Sequence, residues 1–583
     1  VRSNVLPVRR RALLTKGISS LTYNQSVVST LSEEKILLSS SSPPESPPDT
    51  PKRSLHLLVP TGGAIFFAYM LFLFLACRPL LLLGDGGTCR HIVTGQWIFQ
   101  HLAIPTTNYV FALAPNAPWI THELLADLLL AGSNQLFGLN GVVLLSASVI
   151  CLILTWTYQL ARARGMGTIS GLLALIVIMS ATSIHWSARA HLFSYVPFML
   201  IYFLVFEETT KSIWRYIAVA AIMAFWANLH GSFILGLLMI ALKFTADLVC
   251  AAVEPPAQTE SERTDSIWKG NLITLAVGVV GAALNVRGFN FFAYVVSYAT
   301  NPLIRFHSEE SRSIDFMVGM PVFAFLILFA SAIFLWAFSR KPPKFADFIL
   351  VLTFFMGGIY AMRIIPYFAI IILPSIGESW LALRTNYLWG MEASTQKNPI
   401  QKLIAKVFAV EARLDQNETK SFRSVWKIYA LTAAFVLGWL LLPFSKITDF
   451  DPERLPVNAL NFMKDKYPSD GKPAGLGFNP DNWGDYLYLK THKPVFIDDK
   501  GDFYDASFTN KYITLFSGGE GFRKLLDEFN LEWILAPNSL PMVSLLSNDP
   551  DWKVAYHDEL VTLLLKQKVQ ADEGKTSPVR AHP

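Results

Sequence analysis

The chain has 583 residues, 52% hydrophobic and only 16% charged, with 42 Phe, 15 Trp and a mean hydropathy of +0.37. A soluble enzyme carries roughly a quarter charged residues, so this composition excludes an ordinary soluble globular protein and requires most of the chain to face lipid. The net charge of +5 is small, and its Lys and Arg fall in short clusters between apolar runs, which argues for anchoring at an inner leaflet and against nucleic-acid binding. Cys77, Cys89, Cys151 and Cys250 show no CxxC spacing, so neither a disulfide framework nor a zinc site is indicated.

Residues 1–54 are rich in Ser and Pro, carry Arg9, Arg10 and Arg11, and contain no apolar core of a signal peptide; a disordered cytoplasmic tail is expected. Lys52 and Arg53 precede the first apolar run, 60–83, and set an inside start. Ten further runs follow at 138–160, 167–184, 191–206, 214–229, 231–252, 269–286, 316–338, 346–361, 364–380 and 427–443, each near the roughly 17–25 residues that cross a bilayer. Basic clusters at Arg162 and Arg164, at Lys211 and Arg215, at 340–344 and across 381–426 then fall inside. Residues 287–300, with Arg287 followed by a run of aromatics, are assigned to an interfacial helix on the outer face. The expectation is an all-α polytopic bundle of about eleven transmembrane helices over 55–449.

The outer loop 84–136 is too rich in charged and aromatic groups for a plain connection, with Asp85, Arg90, His91, Trp97, His101, Trp119, His122, Glu123 and Asp127. Beyond residue 450 the composition changes. Short apolar runs at Val495–Ile497 and Trp533–Leu535 read as strands, Phe522–Phe529 has helical spacing, and 554–565 reads as a hairpin. A C-terminal extracytoplasmic α/β domain over 450–569, a small sheet covered on one face with Trp483 and Trp533 buried in it, is expected before a disordered tail, 570–583.

The segments Asp85-Gly-Gly-Thr-Cys-Arg-His91, Thr94-Gly-Gln-Trp-Ile98 and Pro118-Trp-Ile-Thr-His-Glu123 resemble the first outer loop of bacterial multi-spanning membrane proteins related to the GT-C glycosyltransferases. The likeness continues through His191-Leu-Phe-Ser194, Trp226-Ala-Asn-Leu-His-Gly-Ser232, Asn482-Trp-Gly-Asp-Tyr-Leu487, Val495-Phe-Ile-Asp498 and Trp533-Ile-Leu-Ala-Pro537. It implies a membrane glycosyltransferase of the inverting GT-C type in a bacterial inner membrane, N-terminus cytoplasmic, C-terminal domain extracytoplasmic. Such an enzyme moves a sugar from a polyprenyl-phosphate-linked donor to an envelope glycan, lipid or protein, with membrane lipids and no nucleic acid among its partners. The rival from another class is a noncatalytic scaffold or transporter whose outer domain binds a cell-envelope partner.

In that family an acid in the first outer loop is the catalytic or metal-binding group, and Asp85 stands in the matching place. A sugar hydroxyl is a weak nucleophile, and a nearby carboxylate can accept its proton as the glycosidic bond forms. Glu123 is the second acid; if the two share a divalent cation, Mg or Mn, both would be its ligands. The leaving phosphate needs a cation, and Arg363, Arg189 and Arg287 stand at outer span ends, Arg363 foremost. His91, His122 and His230 are expected to support the loop or the acceptor. The Trp483-Gly-Asp-Tyr486 run is a broken form of the oligosaccharyltransferase Trp-Trp-Asp-Tyr-Gly motif, so its expected role is packing.

Overall fold

The computed structural model describes residues 62–115, 117–207, 212–253, 258–300, 309–393, 398–420, 425–442 and 446–567, all within one compact unit, 56–583. The two expected tails, 1–54 and 570–583, lie outside them.

The helices run in the order α1 (Gly62–Phe72), α2 (Gly86–His101), α3 (Leu124–Ala163), α4 (Thr168–Thr182), α5 (Tyr195–Tyr202), α6 (Ile213–Leu229), α7 (Phe233–Val253), α8 (Gln258–Ala283), α9 (Asn290–Thr300), α10 (Met320–Phe338), α11 (Phe345–Tyr360), α12 (Ile365–Ala393), α13 (Pro399–Lys420) and α14 (Val425–Leu441). Among the described residues six helices are long and apolar enough to cross a membrane and five shorter apolar ones accompany them, against the eleven spans expected. The chain is a multi-pass membrane protein. At its centre stands α12, whose Tyr367, Phe368 and Ile370–Leu373 are buried all round, as a helix must be when its whole circumference is apolar.

The outer loop is largely helical. Asp85 caps α2 by accepting from the Gly87 N–H at 2.8 Å, and Leu102 ends it in the left-handed region at φ 50°. The first 13 residues of α3 belong to the same loop. They are separated from the span by a kink at Phe137 and Gly138, where φ 61°, ψ −154° at Gly138 is a conformation open to glycine alone.

The two ends of the bundle differ in what they carry. At one end Arg162 pairs with Asp415, Arg164 with Asp347 and Glu207, Lys341 and Lys344 with Glu378, and Arg384 with Glu411 and Asp415. The other end carries α2, α9 and the C-terminal domain. If the first is cytoplasmic, a cysteine at position 505 will react with a membrane-impermeant thiol reagent in intact cells, and one at 409 only after permeabilisation, in a background lacking Cys77 and Cys250. The reverse labelling would invert the assignment.

The C-terminal domain contains α15 (Val457–Lys466), β1 (Leu476–Phe478), α16 (Asp481–Thr491), α17 (Ala506–Ser517), α18 (Phe522–Glu528), β2 (Leu531–Pro537), α19 (Pro541–Ser547), β3 (Trp552–His557) and β4 (Val561–Lys566). Its sheet has the order β1-β2-β4-β3, with β1 and β2 parallel and the other pairs antiparallel. Two expectations are corrected. The sheet is covered on both faces: Ile534, Ala536 and Leu564 join the core of α17–α19, while Trp533, Leu535 and Leu563 join the bundle-side core. Val495–Ile497 is not a strand of this sheet, because its pairing partner is the outer loop: the Val495 N–H donates to Val110 O at 2.9 Å and the Ala112 N–H to Val495 O at 2.8 Å. Phe111 thereby enters an aromatic group with Phe503, Tyr504 and Phe508. Trp483 and Trp533 are buried as expected.

Glycines set how closely α2 approaches this domain. A Cβ on Gly86 would meet the Asn482 carbonyl and one on Gly87 would fall 2.7 Å from Arg189 Nε and Asp499 Oδ2, while inside the domain a Cβ on Gly484 would meet the Ile497 carbonyl. Neither backbone carbonyl can yield, so Gly86→Ala should cost about 1–3 kcal/mol and loosen the domain, read as faster proteolysis near residue 450. Unchanged cleavage would mean the two bodies do not depend on that contact.

Candidate functional site

Two charged centres lie along α2. The first surrounds Arg189, in the turn before the short helix at Ala190–Phe193. Its Nη1 is 3.3 Å from Asp85 Oδ2 and its Nη2 is 2.5 Å from Asp499 Oδ2. Asp499 in turn donates its N–H to Asp485 Oδ2 at 3.1 Å. The side chains of Asp85, Arg189 and Asp499 are 24%, 21% and 20% exposed, so this centre is reachable from outside. Burial pushes the Asp499 carboxyl up to about 7 against the pull of Arg189.

The second centre surrounds Glu123. Arg90 Nη2 lies 2.9 Å from its Oε2, His230 Nε2 3.6 Å from its Oε1 and His122 Nε2 3.8 Å from its Oε2. Burial raises the Glu123 carboxyl, but Arg90 together with His122, His91 and His230 outweighs it, and the group is held well below the usual carboxylate range. Tyr294 of α9 donates to Asp502 Oδ2 at 2.6 Å and lies 3.4 Å from His122 Nδ1. Lys500, 3.3 Å from Asp502, rests 5.0 Å over the Trp119 ring. Burial raises the Asp502 carboxyl, but Lys500, His122, the Tyr294 hydrogen bond and Arg90 together bring it down to about 2.

Two small crevices open here, one beside Arg90, Glu123 and Lys500 and one beside His122, Asn228 and Arg287, each of about 10 Å³. Both are below the roughly 300–1,000 Å³ of ordinary small-molecule pockets.

The expected residues are thus distributed over one end of the molecule. Asp85 lies with Arg189; Glu123 lies with His122 and His230, and helix α2 joins the two centres. Arg287 stacks 4.7 Å over Tyr294 and Arg363 6.0 Å over Tyr298, so both approach through α9. His91 faces inward: Nδ1 is 2.7 Å from Asp127 Oδ1 and Nε2 accepts the Ala190 N–H at 3.3 Å. It is a strut tying α2 to α3 and to the turn that carries Arg189. Trp483 Nε1 donates to the Arg454 carbonyl at 3.0 Å, a packing role for its run.

A divalent ion shared by Asp85 and Glu123 does not fit, since each carboxylate already faces an arginine, and among the described residues no three His, Cys, Asp or Glu side chains gather as metal ligands. Asp499, Asp502, Lys500 and Glu310 were not singled out in the sequence, although Asp498-Asp-Lys-Gly-Asp502 is a dense acidic turn that could have flagged them. Glu310 is 3.9 Å from His185; burial raises it, yet His185 and Arg189 bring it down to about 2.

Burial lowers His230 to about 3 and lowers His122 as well. Between its ordinary value of 6.5 and about 3, the unfolded chain binds a proton at His230 and the folded one does not, so stability is lost as pH falls through that window. His230→Gln should flatten the acid limb of a melting-temperature profile taken from pH 7 to 4. A variant profile parallel to the parent's would place the loss elsewhere.

Fold and site together define a polytopic membrane protein with a charged centre closed over by an α/β domain. No family model matches the chain, and no curated protein does. Among solved structures it is similar to the oligosaccharyltransferase of Archaeoglobus fulgidus in the apo form, at 11% identity and a TM-score of 0.48 over 83% of this chain and 70% of that one. It is also similar to ArnT from Cupriavidus metallidurans, solved apo and bound to undecaprenyl phosphate, at 14% identity and a TM-score of 0.43 over 86% and 97%.

Proposed function

We propose that the protein is a membrane glycosyltransferase that takes a sugar from a polyprenyl-phosphate donor at the outer face of a bacterial inner membrane. The observation that carries this reading is Arg189 held between Asp85 and Asp499 at the end of an apolar bundle. A partly exposed carboxylate and a guanidinium thereby stand side by side where a lipid phosphate can arrive from the bilayer. Asp85 accepts the proton of the acceptor hydroxyl as its oxygen bonds to the anomeric carbon. The bond from that carbon to the phosphate oxygen breaks, the phosphate keeps the electron pair, and Arg189 meets the charge it gains. Arg189 takes the phosphate role first assigned to Arg363, because it alone of the three arginines contacts Asp85. Glu123, locked to Arg90, serves as a framework anion. The crevices are small, so the donor must widen the site on binding.

The test compares thermal stabilisation of the purified protein by undecaprenyl phosphate and by undecaprenol. The phosphate alone should stabilise the parent, and Arg189→Gln should abolish the difference. Equal stabilisation by both lipids would leave no phosphate site, and the glycosyltransferase reading would fall.

A further inference from the structure

Helix α13, at the opposite end of the bundle, has three differently used faces. Advancing roughly 100° per residue, it turns Phe408, Glu411 and Asp415 to the bundle. Phe408 packs edge-on against Trp380 and Tyr387. Glu411 accepts from the Ser170 N–H at 2.8 Å and Asp415 from the Thr168 N–H at 2.9 Å. The two carboxylates therefore satisfy N–H groups that the first turn of α4 leaves open, and Arg384 bridges them at 3.2 Å and 2.7 Å.

A second face carries Ile400, Leu403, Val407, Val410 and Leu414, spaced 3, 4, 3 and 4 residues apart and between 40% and 68% exposed. A third, farthest from the bundle, carries exposed Lys402, Lys406 and Arg413. Among the described side chains of α13, 399–416, every acid is engaged with the bundle and every base is turned outward.

The depth of the helix follows from its partner. The span at Thr168–His185 has 18 residues, about 27 Å of helix, close to the roughly 30 Å hydrocarbon thickness. Its first turn therefore lies at the hydrocarbon boundary, and α13 is bonded to that turn.

We infer that α13 is an interfacial helix: its Ile400–Leu414 stripe enters the acyl layer of the leaflet opposite the glycosyltransferase-like site, and Lys402, Lys406 and Arg413 contact anionic headgroups. An apolar stripe with bases along its outward border and the acids turned to the bundle, at boundary depth, matches such a surface in shape and charge. The inference stands apart from the proposed reaction.

The test uses the full chain in proteoliposomes, with Cys77 and Cys250 replaced and a bimane label at Val407→Cys or, as the control on the outward face, Ala409→Cys. Lipids bearing a nitroxide on the acyl chain should quench the 407 label several-fold more than the 409 label, and aqueous iodide should show the reverse order. Reversing the three bases (K402E, K406E, R413E) should weaken lipid quenching at 407 in vesicles containing phosphatidylglycerol and leave it little changed in pure phosphatidylcholine. Equal iodide access at 407 and 409 would make the stripe a water-facing surface for a soluble partner. Disulfide-linked dimers through unlabelled V407C would make it a contact between two copies of the chain. Either result overturns the inference.

Discussion

Asp85→Asn is expected to lower sugar transfer by about two orders of magnitude or more while leaving the melting temperature nearly unchanged. The two effects separate because Asp85 does two things. Its Oδ1 caps α2 through the Gly87 N–H, and an asparagine oxygen accepts that bond equally well. Its charge faces Arg189, but Asp499 remains as a second partner, so the guanidinium is not left alone. What the variant lacks is a carboxylate to take the acceptor proton. Near-normal transfer by the D85N protein would remove Asp85 from that role. If Asp499→Asn were then inactive, the base would be Asp499, whose elevated carboxyl suits proton transfer near neutrality.

Arg90→Leu is expected to destabilise the protein by about 3–5 kcal/mol, the usual cost of leaving one member of a buried pair without the other. Arg90 and Glu123 each have side chains only 10% exposed, and their contact is 2.9 Å. The nearby His122 and His230 are held neutral by burial and cannot replace the lost cation. Removing both members should be milder, so the double variant R90L/E123L should unfold above R90L alone. Thermal unfolding of the four proteins in one detergent gives the coupling directly. Strictly additive losses would mean that the pair contributes nothing as a pair.

The apolar runs were enough to show a mostly helical multi-pass bundle, because that signal is local. Asp85 was singled out from its position after the first apolar run together with the family resemblance. The contacts that assemble the site were not visible. Arg189 finds Asp499 at a separation of 310 residues, and His91 finds the Ala190 backbone at 99. No periodicity encodes such pairs. Gly86 and Gly87 read as turn residues, whereas their value is the space they leave for α16, Arg189 and Asp499. Val495–Ile497 is a short apolar run of the kind that forms strands, and such a run alone does not say which edge it will pair with.

The bond between Arg189 and Asp499 also has a meaning in time. At about 5–20 residues per second of synthesis, the 310 residues between them take roughly 15–60 s to emerge. During that interval the nascent chain threads most of its spans while it has a cation with a single partner and a Trp119 ring with no Lys500 above it. A ribosome that stops before residue 499 leaves an inserted but unfinished protein, in which the first loop waits for a closing piece that can come only from the far end of the same message.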